Sequence, residues 1–286
     1  AIYCFAVLPE KVSMTVRSQP IEVVKIRGDL RESTADRVAT EEPLEIRLGY
    51  ETGGERHTTS ISITMRTPGD DDDLALGFLF TEGIVRSMDD VAIAKPCRGD
   101  NTVRVELESG VEVDLERLER HFYTTSSCGV CGKASLDALR VQGVAPLSSQ
   151  PGLFERSAIV TVPDKLRAAQ LTFDETGGLH AAAAFDSRGE LLIVREDVGR
   201  HNAVDKIMGA LLSDGQLPGR ELGLMVSGRA SFELMQKTLV AGMPLLAAVS
   251  APSSLAVELA REFNVTLVGF LRGDNFNIYA GEERIA

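Results

Sequence analysis

The sequence predicts an α/β protein in two parts, a small α+β N-terminal part and a C-terminal part with a mostly parallel sheet. Before residue 120, several segments alternate apolar and polar residues, which is the period of half-buried strands. From residue 158 onwards, strand-like apolar segments alternate with segments of helical length, which is typical of βαβ units. A chain of 286 residues is long enough for one large or two modest domains.

The N-terminal part contains three predicted strands, at residues 21–28, 43–51 and 59–67. A helix is predicted to start within Asp70–Asp73, because acidic side chains suit the positive end of a helix dipole. A calcium or magnesium site is the alternative for this run, although adjacent carboxylates at a helix start point in different directions. The segments that follow predict a hairpin at residues 101–115, with its turn at Ser109-Gly110, and a helix at residues 116–124.

The C-terminal part alternates strands and helices. Pro163 suits the first turn of a helix, and Asn202 is the expected cap of another. Strands are predicted at residues 158–162, 190–196, 222–227, 244–250 and 266–273, with an edge strand at 275–280. Helices are predicted at residues 163–173, 202–212, 231–242 and 253–264. The expected organisation is a tail or extension (1–19), an α+β domain (20–123), a CxxC loop and linker (124–157) and a ligand-binding domain (158–286).

Charge and composition narrow the possible partners. A net charge of −12 gives the chain no basic nucleic-acid footprint. No apolar run approaches the ~20 residues of a membrane span. Four cysteines in 286 residues make no disulfide framework, so we expect a reducing cytoplasm.

Four of the connections that follow predicted strands of the C-terminal part, called corners below, carry residues suited to binding a ligand. Ligands of open α/β sheets bind at the carboxyl ends of the strands, where small residues let them approach the backbone. Helix N-termini and arginine side chains bind phosphate oxygens well. Together the corners favour a phosphate-bearing ligand, although any single one is better explained as a turn with a cap. They are Glu196–Asn202, Ser227-Gly228-Arg229, Ser250–Ser254 and Arg272–Asn275.

A pair of cysteines, Cys128 and Cys131, lies in the glycine-rich segment CGVCGK. A structural zinc site needs four ligands, and no second CxxC or histidine pair supplies the other two. A thioredoxin-like dithiol normally lies between a strand and a helix, whereas this pair follows a predicted helix and a Ser/Thr run. A mobile thiolate could instead accept a sulfane sulfur and pass it on. Lys133 and the start of the next helix would favour that thiolate.

Zinc-dependent nucleobase deaminases carry an H-x-E motif followed by P-C-x-x-C. Here His180 is followed by two alanines, and the cysteine pair lies upstream of it. The general acid/base is missing, so deamination is not expected. His180 is expected to be a helix-start or pocket residue rather than a metal ligand.

Six segments in this order make the chain resemble the FdhD family, the sulfur carrier proteins needed for formate dehydrogenase activity. The resemblance runs from about residue 20 to the C-terminus. Its segments are RTPGDDDDLALGFLFTEGIV, SSCGVCGKASLDAL, TGGLHAAAAFD, VREDVGRHNAVDKIMGALL, SGRASFELMQKTLVAG and FLRGDNFNIYAG.

The resemblance implies a role for particular residues. Cys128 would carry a persulfide and Cys131 would assist it. The family's segment that binds bis(molybdopterin guanine dinucleotide), the bis-MGD molybdenum cofactor, matches Phe270, Leu271, Arg272, Gly273, Asp274 and Asn275. The C-terminal domain would be similar to the cytidine deaminase fold, with α-β-α layers. No structural metal is expected.

The resemblance also implies partners. A cysteine desulfurase would supply the sulfur, the apoenzyme of formate dehydrogenase would receive the cofactor, and the carrier would be a cytoplasmic homodimer. Arg272 and Arg229 are the expected anion partners. The alternative is a chaperone that binds the cofactor or the apoenzyme without moving sulfur.

Overall fold

The computed structural model describes residues 16–97, 101–113 and 144–286. Among these residues the strands form three sheets, of two, four and six strands. The predicted helix at 116–124 and both cysteines of the CxxC segment lie outside the described residues. No helix in the described ranges is both long and apolar enough to span a membrane.

The N-terminal part contains the two smaller sheets. Strands β1 and β2 form an antiparallel hairpin whose turn includes Gly28, at a φ of +60°. The four-stranded sheet has the order β4-β3-β6-β5, with β3 and β6 parallel. The predicted strands at 21–28, 43–51 and 59–67 are confirmed as parts of β1, β3 and β4. The bounds are β1 Ser18–Arg27, β2 Leu30–Ala39, β3 Glu42–Thr52, β4 Glu55–Arg66, β5 Val91–Cys97 and β6 Thr102–Leu107.

The predicted hairpin at 101–115 is wrong. Its first half is β6, but residues 111–113 form no strand, and β6 pairs with β5 and β3 instead. Val103, Val105 and Leu107 on β6 are fully buried. These side chains pack into the core, and β6 takes its sheet partners from β3 and β5, which precede it in the chain, rather than from the residues after the turn.

Helix α1, Asp71–Thr81, starts within the predicted acidic run and packs against helix α5, Arg200–Ser213. The two helices approach at Gly77 and Gly209. A Cβ atom on Gly77 would overlap the backbone oxygen of Asp205, and one on Gly209 would overlap that of Asp73. The contact therefore brings backbone against backbone, and it joins the N-terminal part to the C-terminal part in one hydrophobic core.

The six-stranded sheet has the order β12-β11-β10-β9-β7-β8. Strands β9, β10 and β11 are parallel, whereas β7 runs antiparallel to both β9 and β8, and β12 is antiparallel to β11. The prediction of a mostly parallel sheet therefore holds only for its centre, and the predicted edge strand is confirmed as β12. The bounds are β7 His180–Phe185, β8 Leu191–Asp197, β9 Gly223–Val226, β10 Leu245–Ala248, β11 Thr266–Arg272 and β12 Asn275–Ala280.

Alternate residues of this sheet face two hydrophobic clusters. One cluster contains α5, α6 (Phe232–Val240) and α7 (Ser254–Glu262), and the other contains α2 (Arg156–Ile159) and α3 (Val162–Ala169). Helices therefore cover both faces of the sheet. A specific likeness to cytidine deaminases stays a prediction.

The predicted strand at 158–162 is wrong, because this segment is helical. Ile159 ends α2 and Val162 begins α3 after a two-residue turn. Both are fully buried, together with Leu166, in one hydrophobic cluster. In a segment of only five residues, the β-branched residues of AIVTV give the pattern that a strand would give. The predicted helix at 163–173 is confirmed as α3, with Pro163 in its first turn, but a new helix, α4, begins at Leu171 and ends at Thr176.

Candidate functional site

The carboxyl ends of the three parallel strands meet at one edge of the six-stranded sheet. Val226 at the end of β9 lies beside Ala248 at the end of β10, so Ser227 and Val249 follow at the same level. At the end of β11, the Arg272 Nε donates a hydrogen bond to the Val249 carbonyl oxygen, at 3.2 Å. Three of the four predicted corners are thus brought together.

Strand β7 runs in the opposite direction, so its first residue arrives at the same edge. His180 pairs there with Asp197, the last residue of β8, which brings in the fourth corner. The Ala181 N–H donates a hydrogen bond to Ser227 Oγ at 2.9 Å, which fixes the position of that hydroxyl at this edge of the sheet. A Cβ atom on Gly228 would lie 3.5 Å from His180 Nδ1, an ordinary contact distance, so the turn after β9 packs directly beside the imidazole.

A cavity of about 650 Å³ opens at this edge. Its volume lies within the range of sites for one small molecule, about 300–1,000 Å³. The wall combines strand ends with helices α3 and α4. The lining residues are Pro163, Asp164, Leu166, Arg167, Gln170, Phe173, Gly177, Gly178, Leu179, His180, Ser227, Val249, Leu271, Arg272 and Gly273.

The predicted cofactor segment contributes three of its six residues to this wall, Leu271, Arg272 and Gly273. The other three lie beside it. Phe270 is 42% exposed and has a φ of +54°, a conformation rare for a phenylalanine. The Asp274 carbonyl accepts a hydrogen bond from Arg156 at 3.1 Å, and Asn275 begins β12. The expected pocket role of His180 is confirmed, whereas its alternative at a helix start is wrong, because it begins a strand.

Sequence reasoning missed the opposite wall of the cavity. Asp164 and Arg167 come from α3, and Gln170 and Phe173 come from the start of α4. The Arg167 guanidinium lies 4.8 Å from the centre of the Phe173 ring, so a cation and an aromatic face stand together at the rim. The sequence predicts a helix at residues 163–173, with Pro163 at its start, but no pattern in it shows that this helix covers the edge of the sheet.

Both histidines at the edge are held neutral near physiological pH. Burial lowers the pKa of His180, and the positive charge of Arg200 lowers it further against the opposing charge of Asp197. Burial likewise lowers the pKa of His201 to about 4, helped by Lys237 and Arg200. Neutral imidazoles can both donate and accept hydrogen bonds, so the edge offers polar contacts without extra charge.

Asn202 is not the cap that its position predicts. Helix α5 begins at Arg200, with Gly199 at its N-cap, so Asn202 lies inside the first turn. Its amide nitrogen donates to the Met65 carbonyl at 2.8 Å and to Asp197 Oδ1 at 3.0 Å. Asn202 therefore ties the N-terminal part to the strand that ends at the cavity edge.

Three of the four aspartates at the start of α1 are paired with arginines. Asp70 pairs with Arg17 at 2.6 Å and Asp73 pairs with Arg195 at 2.7 Å. Asp71 pairs with Arg66 at 2.9 Å. The described ranges contain no group of three or more histidine, cysteine or acidic side chains that could hold a metal ion. Cys128 and Cys131 lie in the range 114–143, outside them.

Comparisons with known proteins agree on one family. The sequence model of the FdhD/NarQ family matches residues 39–286. The "Sulfur carrier protein FdhD" of Streptomyces avermitilis is 52% identical over 274 residues, which are 93% of this chain and 94% of that protein. The protein of the same name from Saccharolobus solfataricus is 42% identical over 272 residues, 95% of this chain and 100% of its own length.

One solved structure has the same fold. It is a crystal structure from Desulfotalea psychrophila, assigned as a formate dehydrogenase accessory protein. It aligns with a TM-score of 0.74 at 23% identity, and covers 95% of this chain and 100% of its own.

Proposed function

The chain belongs to the FdhD/NarQ family, and on that premise we propose that it is a sulfur carrier for the molybdenum cofactor of formate dehydrogenase. It would accept sulfur from a cysteine desulfurase on Cys128. It would then transfer that sulfur to bis-MGD before the cofactor enters the apoenzyme of formate dehydrogenase. The carrier would work in the cytoplasm as a homodimer.

One observation supports the cofactor half of this proposal: His180, Ser227, Val249 and Arg272 converge on one cavity at a strand edge. Strand ends of α/β sheets commonly bind nucleotides, and an arginine matches phosphate oxygens. The cavity suits one small molecule, so it would hold one nucleotide end of bis-MGD. The pterin and metal would then project from its mouth.

The sulfur half follows from thiol chemistry. The Cys128 thiolate attacks the outer sulfur of the desulfurase persulfide, and the cysteine thiolate of the desulfurase leaves. The product is a persulfide on Cys128. Cys131 can then attack the inner sulfur, which closes a Cys128–Cys131 disulfide and releases the outer sulfur, reduced, as sulfide. The disulfide must be reduced before the next cycle.

The first experiment replaces Cys128 by alanine in cells that depend on this chain for formate dehydrogenase. A sulfur carrier predicts formate dehydrogenase that contains its cofactor but is inactive. Cys97→Ala is the matched control, because it removes a cysteine outside the CxxC pair and should leave activity unchanged. Equal activity of the Cys128→Ala strain and the parent would contradict the proposal.

The cavity alone also suits a second function, a chaperone that binds the cofactor without moving sulfur. This alternative predicts near-normal formate dehydrogenase activity with Cys128→Ala and loss of activity with Arg272→Met. A zinc-stabilised regulatory protein is a third possibility, and it predicts about one zinc ion per chain by elemental analysis. We expect no stoichiometric zinc.

A further inference from the structure

Beyond His180, the sheet edge continues to the start of α5, where two nitrogen atoms are buried without hydrogen-bond partners. They are Arg200 Nε and His201 Nε2. A buried donor or acceptor left unpaired costs about 1–3 kcal/mol, so native proteins contain few of them. These two lie on consecutive residues at the strand ends, where α/β sheets bind ligands, and a ligand or a water molecule there would pair with them.

Arg200 and His201 are neighbours of the cavity described above. His180 lines that cavity and pairs with Asp197 of β8. Asp197 Oδ1 accepts a hydrogen bond from the Gly199 N–H at 2.8 Å, and Arg200 and His201 follow Gly199 in the chain. A ligand that fills the cavity and extends past His180 would therefore meet these two side chains next.

The charges at this edge favour an anionic group. In a chain with net charge −12, the arginines that surround the start of α1 are paired with its aspartates. By contrast, Arg200, Arg229 and Arg272 at the edge form no ion pair with a carboxylate in the ranges that the structure describes. Unpaired guanidinium groups at strand ends are suited to phosphate oxygens.

Two other charged groups lie near His201, and they decide which side chain could contribute positive charge to an anion bound there. Lys237 adds positive charge from α6, but it is held by Asp205 at 2.8 Å. Glu233 is the carboxylate that opposes an anion, since its Oε2 lies 3.8 Å from His201 Nε2. His201 is neutral at physiological pH, so the cationic contact must come from Arg200.

We propose that Arg200 and His201 form a second subsite, which binds a phosphate-type oxyanion of a ligand that extends from the cavity past His180. This inference rests on the proposed function and deepens it. It predicts that the bound molecule carries two separated anionic groups, one near Arg272 and one near Arg200. Arg200 supplies the charge, and the His201 imidazole supplies a neutral hydrogen bond.

The test uses inorganic phosphate and proton NMR of the histidine side chains in the full chain carrying Cys128→Ala. The chain has four histidines, and His201→Asn identifies the resonance of His201. At constant ionic strength, we expect phosphate to shift this resonance in a saturable way and to raise the pKa of His201 above about 4. Arg200→Met should weaken this binding by about tenfold, as expected for loss of one charge-assisted hydrogen bond.

Arg188→Met is the matched control, because Arg188 is an exposed arginine in the turn at the opposite end of the sheet. It should bind phosphate at His201 as the parent does. If Arg200→Met does not fold, Arg200→Lys takes its place, and it should weaken binding because it loses the Nε donor. A His201 resonance that ignores phosphate, or that shifts equally with and without Arg200, would overturn the subsite. The background lacks the Cys128 thiol, so this result is independent of whether Cys128 carries sulfur.

Discussion

The ammonium of Lys206 lies 2.8 Å from Asp197 Oδ2, and their side chains are 1% and 0% exposed. Asp197 is the last residue of β8, beside His180 at the cavity edge. The pair also holds the end of β4, because Lys206 donates to the Thr67 carbonyl and the Thr67 N–H donates to Asp197. A buried ion pair therefore fastens the N-terminal sheet to the ligand-binding edge.

Replacing Lys206 by methionine should lower the free energy of unfolding by about 3–5 kcal/mol, because it leaves a buried carboxylate without its counter-charge. Lys206→Met with Asp197→Asn should recover part of that loss. Urea denaturation of the single and double variants measures both values. The control is Lys165→Met, since Lys165 pairs with Glu190 at 2.7 Å with side chains 34% and 66% exposed, and it should cost less than about 1 kcal/mol. Equal losses for both lysines would contradict this prediction.

The close approach of α1 and α5 should not tolerate a larger residue. Gly77→Ala places a methyl group on the Asp205 backbone, so the helices must separate. Overpacking of this kind costs about 1–3 kcal/mol or more, and we expect the upper end because the obstacle is backbone. Gly178→Ala, whose new Cβ would have no atom closer than 3.7 Å, is the control. The midpoint of thermal unfolding should fall for Gly77→Ala and stay unchanged for Gly178→Ala. An unchanged midpoint for Gly77→Ala would contradict the predicted clash.

The pKa of His201 gives stability a dependence on pH. Its folded pKa of about 4 lies below the ordinary 6.5, chiefly because of burial, so between these values the unfolded chain binds a proton that the folded chain does not. Stability should therefore fall as the pH drops from about 6.5 to 4. The side chain is 39% exposed, so solvent screening makes this contribution shallow. The stability of His201→Asn, measured by urea denaturation from pH 7 to 4.5, should fall less steeply than that of the parent. Parallel curves would show that His201 is not the group responsible.

Arg272 should contribute to nucleotide binding rather than to stability. Its side chain is exposed, and among the described residues it donates only to the Val249 carbonyl. Arg272→Met should weaken the binding of guanosine diphosphate by about tenfold, in line with one lost charge-assisted hydrogen bond. Isothermal titration against the parent and Arg188→Met measures this change. Equal affinity for all three would remove Arg272 from the site.

Elements with a clear hydrophobic period could be predicted from the sequence. The strands that became β9, β10 and β11 and the helices between them were placed because each is a short apolar run or a one-sided pattern. Strand β2 was missed because its residues are mostly polar and exposed. The segment at 158–162 was mistaken for a strand because β-branched residues on a buried helix face look like a strand in five residues.

Only the side of the cavity that is formed by strand ends could be predicted from the sequence. The corners at Ser227 and Arg272 follow strands, and the rule for α/β sheets places them at one edge. Asp164, Arg167 and Phe173 come from helices across the sheet face, and no local pattern tells which helix will cover that edge. The position of Asn202 near a helix start predicts a cap, but its side-chain amide instead donates hydrogen bonds to the Met65 carbonyl and to Asp197.

The most direct test of the sulfur-carrier proposal is mass spectrometry of the chain after incubation with a cysteine desulfurase and cysteine. We expect the peptide that contains Cys128 to gain the mass of one sulfur atom, and a reducing agent to remove it. The Cys131→Ala variant should still load sulfur on Cys128, whereas Cys128→Ala should not load at all. A Cys128 peptide of unchanged mass, with the desulfurase active on another acceptor in the same mixture, would contradict the account.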